Sequence, residues 1–283
     1  MFKRVFALLG TFVIALTLVL TTQTQAAIKQ NHSKYNYSQT PTIFLHGYGG
    51  GPSSANNIIA AVQKAGAAQK VLTAHVSRSG HVTLSGKWQT GKVNPLVQVL
   101  FANNRESNYN NDAQWVKNVL TTLQKRYHIT KFNVVAHSMG NLALMYYEVN
   151  YGKQRSLPQL QKQVDLAGHF DGILGMDDKA NRNHLLANGK PQHLNSSYRY
   201  MLTHRNNYPT NQVDVMNIYG NLGDGSNSDG SVSNVSAQSL KYLLGSKPKS
   251  YVEHMIKGSN AQHSKLHDND EVNRYIIQFL WGK

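Results

Sequence analysis

Residues 132–147, FNVVAHSMGNLALMYY, set a serine at an abrupt change of pattern. A run suited to a buried strand leads directly into Ser138, and an apolar pattern typical of a helix follows it. Such a turn lies at the carboxyl edge of a parallel sheet, beside the free N–H groups of a helix N-terminus. Ala136 and Gly140 are small enough for the strand and helix backbones to approach closely. We therefore predict a nucleophile elbow with Ser138 as the nucleophile, and a serine that only caps the helix is the alternative.

The rest of the chain alternates strand patterns with helix patterns. This order predicts an α/β fold with a mostly parallel central sheet that is covered by helices on both faces. Between about residues 153 and 211 the pattern loosens, and we expect a lid or specificity insertion there, with a solvated surface insertion as the alternative. No repeat or linker divides the chain, so residues 41–283 are predicted to form one domain. The predicted strands are 41–47, 70–77, 81–88, 94–104, 131–138, 162–174, 213–220 and 250–258, and the predicted helices are 55–66, 111–128, 139–151, 196–207 and 269–281.

The first 27 residues have the layout of a secretory signal peptide. Two basic residues precede an apolar run over residues 5–20, and small residues stand where signal peptidase would cut, near Ala26 or Ala27. The run is shorter than the ~20 residues that cross a bilayer as a helix, although an uncleaved anchor is the alternative. Residues 28–40 then form a polar leader. The sequence therefore predicts a secreted or cell-surface protein.

The charge balance indicates the surroundings in which the protein works. Lys and Arg number 29 against 14 Asp and Glu, which gives a formal net charge of +15. This excess favours association with an anionic cell wall or membrane surface. The basic residues are scattered singly, without a basic stripe that alternates with aromatic residues, so nucleic-acid binding is not expected. The chain has no cysteine, which excludes a cysteine nucleophile and cysteine-ligated metal sites.

A serine hydroxyl is a poor nucleophile near neutral pH and needs a base. Elbow hydrolases carry their residues in the order Ser, acid, His, so the base should lie late in the chain. Residues 255–272, MIKGSNAQHSKLHDNDEV, offer His263 and His267. We prefer His263, which comes first after a small polar turn, and expect His267 to support it or to start the last helix. His137 is expected to shape the elbow, and the remaining histidines to lie at the surface or in packing.

The base in turn needs a carboxylate that fixes its tautomer and stabilises the imidazolium. Residues 221–233, NLGDGSNSDGSVS, follow a predicted strand and contain Asp224 and Asp229. We prefer Asp229, because it is followed by a glycine and then by a valine that can pack back against the fold. Asp224 is then expected to set a turn. A calcium loop is the rival interpretation. It fails the EF-hand spacing, because Asp229 stands where glycine is needed and Val235 where glutamate is needed.

Acyl transfer also needs N–H donors for the oxyanion. One donor should be the main-chain N–H of Met139, directly after the nucleophile. The other should come from residues 44–51, FLHGYGGG, whose glycines let the backbone turn an N–H inward, and we predict the N–H of Tyr48. A phosphate-binding loop is a poor alternative, because no Lys-Ser/Thr pair follows at Walker spacing and Pro52 replaces the third glycine of G-x-G-x-x-G. A plain glycine-rich turn is the other alternative.

With HGYGGG, AHSMGN, SDGSV and AQHSKLHDN in this order, the chain resembles the α/β-hydrolase superfamily. More narrowly, it looks like the uncharacterised cell-surface hydrolases of Gram-positive bacteria, a family named as a domain of unknown function. This likeness rests on NPLVQVLFANN, AHSMGN and the closing AQHSKLHDN…FLW. The resemblance runs from about Thr42 to Trp281 and implies an eight-stranded, mostly parallel sheet and no metal or organic cofactor. Ala136 in place of the usual first glycine is a mild departure. The residues that the resemblance implies are Ser138, Asp229 and His263 as the triad and the amides of Tyr48 and Met139 as the oxyanion hole.

These features together predict an extracellular serine hydrolase of the carboxylesterase or lipase-like kind, which forms an acyl-enzyme and then hydrolyses it. The expected partner is a small-molecule or lipid ester. An acyltransferase, in which a cell-wall or lipid acceptor replaces water, is one alternative. A peptidase would use the same triad, and a binding protein that keeps the fold without turnover is the remaining alternative.

Overall fold

The structure is a computed structural model and describes residues 34–91 and 93–283. Residues 37–280 form one compact unit that contains the whole central sheet. Of a second unit, formed by the chain termini, the structure describes residues 34–36 and 281–283. All eight strands of the single sheet lie within the first unit.

The central sheet has eight strands: β1 (Thr42–Leu45), β2 (Gln69–Val76), β3 (Val82–Gly86), β4 (Pro95–Phe101), β5 (Lys131–His137), β6 (Gln159–Leu166), β7 (Asp214–Asn221) and β8 (Ser250–Lys257). Their order across the sheet is β3-β2-β4-β1-β5-β6-β7-β8. Neighbouring strands run parallel except β2 and β3, which pair antiparallel at one edge. The mostly parallel, eight-stranded sheet is therefore confirmed.

The described residues contain six α-helices: α1 (Ser53–Lys64), α2 (Tyr109–Tyr127), α3 (Met139–Tyr151), α4 (Ser196–His204), α5 (Asn234–Leu244) and α6 (Asp270–Trp281). Helix α2 places one apolar face in the core and packs against α3. Helix α3 is buried from Met139 to Val149, because β5 ends directly before it and α2 and α4 contact it. This burial gives the elbow at the start of α3 a rigid support.

Helix α5 has no counterpart among the predicted helices. Its signals are nevertheless in the sequence, since Ser233 caps it by accepting the N–H of Ser236, and Ala237, Leu240 and Leu243 lie on a buried face. The turn residues that precede Ser233 made this part of the sequence look like a loop, so no helix was predicted there. The helix completes the loop that carries Asp229.

The predicted insertion, residues 153–211, includes β6, which is an inner strand of the sheet. The segment that leaves the sheet is therefore 167–213, between β6 and β7, and we call it the β6–β7 segment. It begins at the carboxyl end of β6 and contains α4. Since all strands from β4 to β8 are parallel, this segment starts at the same edge of the sheet as the elbow.

The predicted signal peptide, residues 1–27, lies outside the described residues, as does the first part of the predicted leader. In the leader's remaining part, Tyr35 forms an isolated antiparallel bridge with Gly282. Within the described ranges, none of the helices combines the length and the apolar character that a membrane crossing requires.

Candidate active site

Ser138 stands between β5 and α3, and its backbone adopts φ 52° and ψ −120°. A positive φ is strained for a residue with a Cβ, so the surroundings must hold it. The Ser138 N–H donates to the Leu166 carbonyl at 2.9 Å, and Asn141 Nδ2 donates to the carbonyls of Ser138 and Leu166 at 3.1 and 2.9 Å. A Cβ on Gly140 would lie 2.6 Å from the Leu45 carbonyl oxygen. The structure thus has the predicted strand–turn–helix arrangement, and only glycine fits at position 140.

The three side chains predicted for the chemistry form one hydrogen-bonded chain. Ser138 Oγ lies 2.9 Å from His263 Nε2, and His263 Nδ1 lies 2.8 Å from Asp229 Oδ2. An ionised carboxylate only accepts, so Nδ1 carries the proton and donates it, and the lone pair of Nε2 faces the serine hydroxyl. The His263 side chain keeps 13% of its exposure and that of Asp229 keeps 1%. The geometry therefore suits removal of the hydroxyl proton by an imidazole.

The loop between β7 and α5 fixes the Asp229 carboxylate. Its Oδ1 accepts the N–H groups of Ser231 at 2.8 Å and Val232 at 2.7 Å. The N–H of Asp229 donates to the Val232 carbonyl, and the N–H of His263 donates to the Asp229 carbonyl at 2.9 Å. Val232 is buried, as expected for a valine that packs back. Main-chain donors thus hold one oxygen and leave the other for His263.

The alternative candidates lie elsewhere. His267 has Nδ1 3.3 Å from Asp268 Oδ1, and its ring packs edge-on against His137. Asp224 is exposed and closes a turn by accepting the Ser226 N–H at 2.9 Å. Hydrogen bonds from the Ser226 side chain and from this N–H lower the pKa of Asp224. In the described part of the chain no three His, Asp or Glu side chains converge as they would around a metal ion.

Two main-chain N–H groups next to Ser138 donate to no acceptor among the described residues, those of Tyr48 and Met139. Met139 opens α3, where N–H groups have no acceptor within the helix. Tyr48 follows Gly47, which touches the nucleophile so closely that a Cβ there would lie 2.9 Å from Ser138 Cβ. The Tyr48 side chain is 63% exposed and lies against the Arg105 guanidinium. Both predicted amides are therefore without an acceptor among the described residues, and their role as the oxyanion hole stays a prediction.

His46 anchors the loop that carries Tyr48. Its Nε2 accepts the Phe101 N–H at 3.1 Å, so its Nδ1 carries the proton and donates to the Gly47 carbonyl at 2.9 Å. Burial lowers the pKa of His46, which favours the neutral ring that this pair of bonds needs. Gly49 donates to the Asn104 carbonyl at 2.7 Å. The sequence prediction left His46 among the surface or packing histidines, although its position at the end of β1 was a usable signal.

Two further buried histidines surround the base. His137 Nε2 lies 3.0 Å from the His263 carbonyl oxygen and donates to it, so His137, which was predicted to shape the elbow, also supports the loop of the base. Burial, with the charge of His263, lowers the pKa of His137 well below its usual range. His169, also predicted as surface or packing, has Nε2 3.2 Å from the Tyr109 hydroxyl. Burial and the nearby His263 lower the pKa of His169 to about 3, so its ring is neutral at any ordinary working pH.

A cleft of about 430 Å³ adjoins this cluster. Leu142, one turn after Ser138 on α3, forms part of its wall, and His169 brings the cleft close to the base. Apart from Tyr109 and Leu142, all lining residues belong to the β6–β7 segment, which therefore forms most of the wall of this cleft. The lining residues are Tyr109, Leu142, His169, Ile173, Met176, Asp177, Asn195 and Ser197.

Comparison with known proteins places this geometry in context. The model of a family described as alpha/beta hydrolase of unknown function (DUF915) matches residues 29–283. A solved protein of Listeria innocua is similar at 25% identity and a TM-score of 0.78, over 86% of this chain and 94% of that one. An inferred cell surface hydrolase of Lactobacillus plantarum WCFS1 is similar at 22% identity and a TM-score of 0.68, over 85% and 91%. No curated protein matches. The two likenesses span nearly the whole length of each chain and show a common fold.

Proposed function

The chain belongs to this family of α/β hydrolases of unknown function, and from that premise we propose that it is a serine hydrolase that cleaves carboxylic esters through an acyl-enzyme. One observation carries the proposal, the unbroken chain of hydrogen bonds from Ser138 through His263 to Asp229. Three distant parts of the sequence supply these residues, and each is held by its own main-chain bonds. Structural packing alone does not require a strained serine that faces an imidazole.

In the first half-reaction, His263 Nε2 takes the proton of the Ser138 hydroxyl while Oγ attacks the ester carbonyl carbon. The carbonyl oxygen becomes an oxyanion, which the N–H groups of Tyr48 and Met139 stabilise. Asp229 stabilises the imidazolium through Nδ1–H. His263 then returns the proton to the alkoxide that leaves, and an ester of Ser138 remains.

In the second half-reaction, water replaces the alcohol. His263 takes a proton from the water, whose oxygen attacks the acyl carbon, and the oxyanion forms again at the same two N–H groups. Breakdown of this intermediate returns the proton to Ser138 Oγ and releases the acid. An acceptor alcohol that occupied the water's place would give acyl transfer by the same steps.

We also propose that the protein works outside the cell, near an anionic surface. The layout of residues 1–27 and the formal net charge of +15 support this location. The name of the Lactobacillus plantarum protein, an inferred cell surface hydrolase, agrees with it. The ester substrate would then be a component of the surroundings of the cell.

Turnover of p-nitrophenyl esters of increasing acyl length tests the proposed reaction. We expect hydrolysis by the purified protein and a loss of about 10⁵ to 10⁶-fold in kcat in Ser138→Ala, because the nucleophile is then absent. Ser259→Ala, which removes a serine from the outer side of the base loop, is the matched control and should keep its activity. Transfer to an added alcohol in preference to water would identify an acyltransferase. Absence of both reactions with every ester would contradict the proposal.

A further inference from the structure

A second cavity, of about 460 Å³, is formed almost wholly by the β6–β7 segment. Asp177 and Asn195 line both this cavity and the catalytic cleft, so the two spaces share a wall. The reaction steps at Ser138 make no use of it. Its charged lining residues are three acids and three bases, Asp171, Asp177, Asp178, Arg182, Lys190 and Arg199.

The three carboxylates of this cavity already have partners. Asp171 accepts the Asn195 N–H at 2.8 Å and Asn183 Nδ2 at 3.1 Å. Asp177 accepts the N–H of Ile173 and the side-chain amide of Asn195, both at 2.8 Å, and Asp178 accepts the N–H of Lys179 and the hydroxyl of Ser233. All six carboxylate oxygens therefore accept a hydrogen bond from within the segment or from the start of α5. Their role is to hold the cavity's shape.

The basic side chains differ from the acids in this respect. Arg182 and Lys190 donate no side-chain hydrogen bond to any described residue, and neither forms an ion pair with a described carboxylate. Arg199 donates to the main-chain carbonyls of Leu194 and Asn195, which orients its guanidinium. Arg182 is exposed and Lys190 is half-buried, so the side-chain donors of both residues are available to an acceptor from outside the chain.

We propose that this cavity binds an anionic oxygen group, a carboxylate or a phosphate, on the same ester whose scissile bond lies at Ser138; the inference rests on the proposed function. Arg182 and Lys190 supply the charged donors, since a guanidinium forks onto two oxygens of such a group and an ammonium adds a point charge. Asn195 lines both spaces, so a molecule that reaches from the cleft toward this cavity would pass this residue. Burial raises the pKa of Asp171 to about 7, which weakens the repulsion that this carboxylate exerts on an anion.

Three acetyl esters with nearly equal shape test the proposal: 4-acetoxybenzamide, 4-acetoxybenzoate and 4-acetoxyphenyl phosphate. The measured quantity is the ratio of kcat/KM for each anionic ester to kcat/KM for the neutral amide. We expect a ratio above one in the natural protein and a drop of about tenfold or more in Arg182→Glu/Lys190→Glu, because charge-assisted bonds are replaced by repulsion. Lys125→Glu/Arg126→Glu, at two exposed basic residues in the last turn of α2, makes the same change in net charge away from the cavity and should keep the natural ratio.

The outcomes separate this inference from the proposed function. A ratio near one in the natural protein, or an equal ratio in the natural and charge-reversed proteins, overturns the anion site and leaves the esterase intact. Failure of all three esters together with an unreactive Ser138 overturns the proposed function itself. Ser138 can react with a fluorophosphonate even if none of these esters turns over. In that case the comparison is how strongly benzoate, phenyl phosphate and neutral benzamide each slow the labelling of Ser138. If the charge-reversed protein fails to fold, Arg182→Gln/Lys190→Gln takes its place. The larger of the two anionic ratios shows whether the site prefers a carboxylate or a phosphate.

Discussion

His263 works as a base only in one tautomer, and Asp229 sets that tautomer. Two main-chain N–H groups occupy Oδ1 of Asp229, so Oδ2 is left to accept from His263 Nδ1. The arrangement needs no positive charge to hold the acid. It also makes the direction of each hydrogen bond in the site unambiguous, because each has a partner that can only donate or only accept.

Asp229→Asn should therefore lower kcat for ester hydrolysis about 10⁴-fold without unfolding the protein. The amide NH₂ that replaces Oδ2 donates, so His263 Nδ1 must accept and Nε2 then presents a proton to Ser138 in place of a lone pair. Steady-state kinetics measure the loss, and a thermal melt shows that the fold survives. Asp224→Asn, in an exposed turn of the same loop, is the matched control and should retain the natural rate. An Asp229→Asn protein with nearly natural kcat would remove Asp229 from the triad.

A local motif and the chain order were sufficient to select side chains that lie together in the structure. Ser138, Asp229 and His263 come together in the structure as the sequence predicted. His46 and His169 were missed, because their partners are far away in sequence. His46 accepts from Phe101, 55 residues later, and His169 contacts Tyr109, 60 residues earlier. Only the fold shows that these rings are buried and neutral.

Among the structural elements, the loop after β1 must pack closely against the elbow. Gly47 touches Ser138 and His137 so closely that a Cβ would lie 2.9 Å from Ser138 Cβ and 3.1 Å from His137 Nδ1. Gly51, in the same loop, has nothing within 4 Å of the position of its Cβ. The two glycines therefore provide a matched pair.

We expect Gly47→Ala to lower kcat for esters about 10²-fold or more, since the loop must move away and carries the Tyr48 N–H with it. Gly51→Ala should keep the natural kcat. Ester kinetics on both variants, together with their melting temperatures, make the comparison. Equal activity of the two variants would show that the loop after β1 supplies no oxyanion donor.

Most strands and helices were predictable because their apolar periodicity is strong. The looser segment 153–211 includes β6, where the sequence also predicted a strand at 162–174. This strand carries Gln163 and Asp165 in the core, and polar residues weaken a strand pattern. The Tyr208 hydroxyl donates to Gln163 Oε1 at 2.9 Å, and Gln163 Nε2 donates to Asp165. These partners satisfy the buried groups, but the sequence does not show the pairing.

At the scale of the whole molecule, the folded chain buries ionisable groups of both kinds in neutral form. Burial raises the pKa of four carboxyl groups to about 7 or about 8 and lowers the pKa of three histidines. An acid with a raised folded pKa stabilises the fold at low pH and loses that contribution as pH rises to the folded value. A histidine with a lowered folded pKa loses its contribution as pH falls below about 6.5. The acids are Asp112, Glu148, Asp165 and Asp171, and the histidines are His46, His137 and His169.

Above about pH 6.5 the three histidines titrate in neither state, so the free energy of unfolding should fall from there to about pH 8 to 9 as the four acids ionise. Glu148→Gln should reduce the fall on the alkaline side, because Glu148 is fully buried and has no hydrogen-bond partner for either oxygen among the described residues. Urea unfolding at several pH values measures both proteins. A natural protein that is as stable at pH 9 as at pH 6.5, or a Glu148→Gln protein with the same alkaline fall, would contradict this description of the core.

The central claim is that Ser138 is a nucleophile activated by His263, and one measurement tests it most directly. The purified protein and Ser138→Ala are treated with a fluorophosphonate, and the mass of each intact chain is measured. We predict one probe adduct on the natural protein and none on Ser138→Ala, with both proteins folded by circular dichroism. No adduct on the folded natural protein, or an adduct that persists in Ser138→Ala, would contradict the assignment and favour a binding protein built on the hydrolase fold.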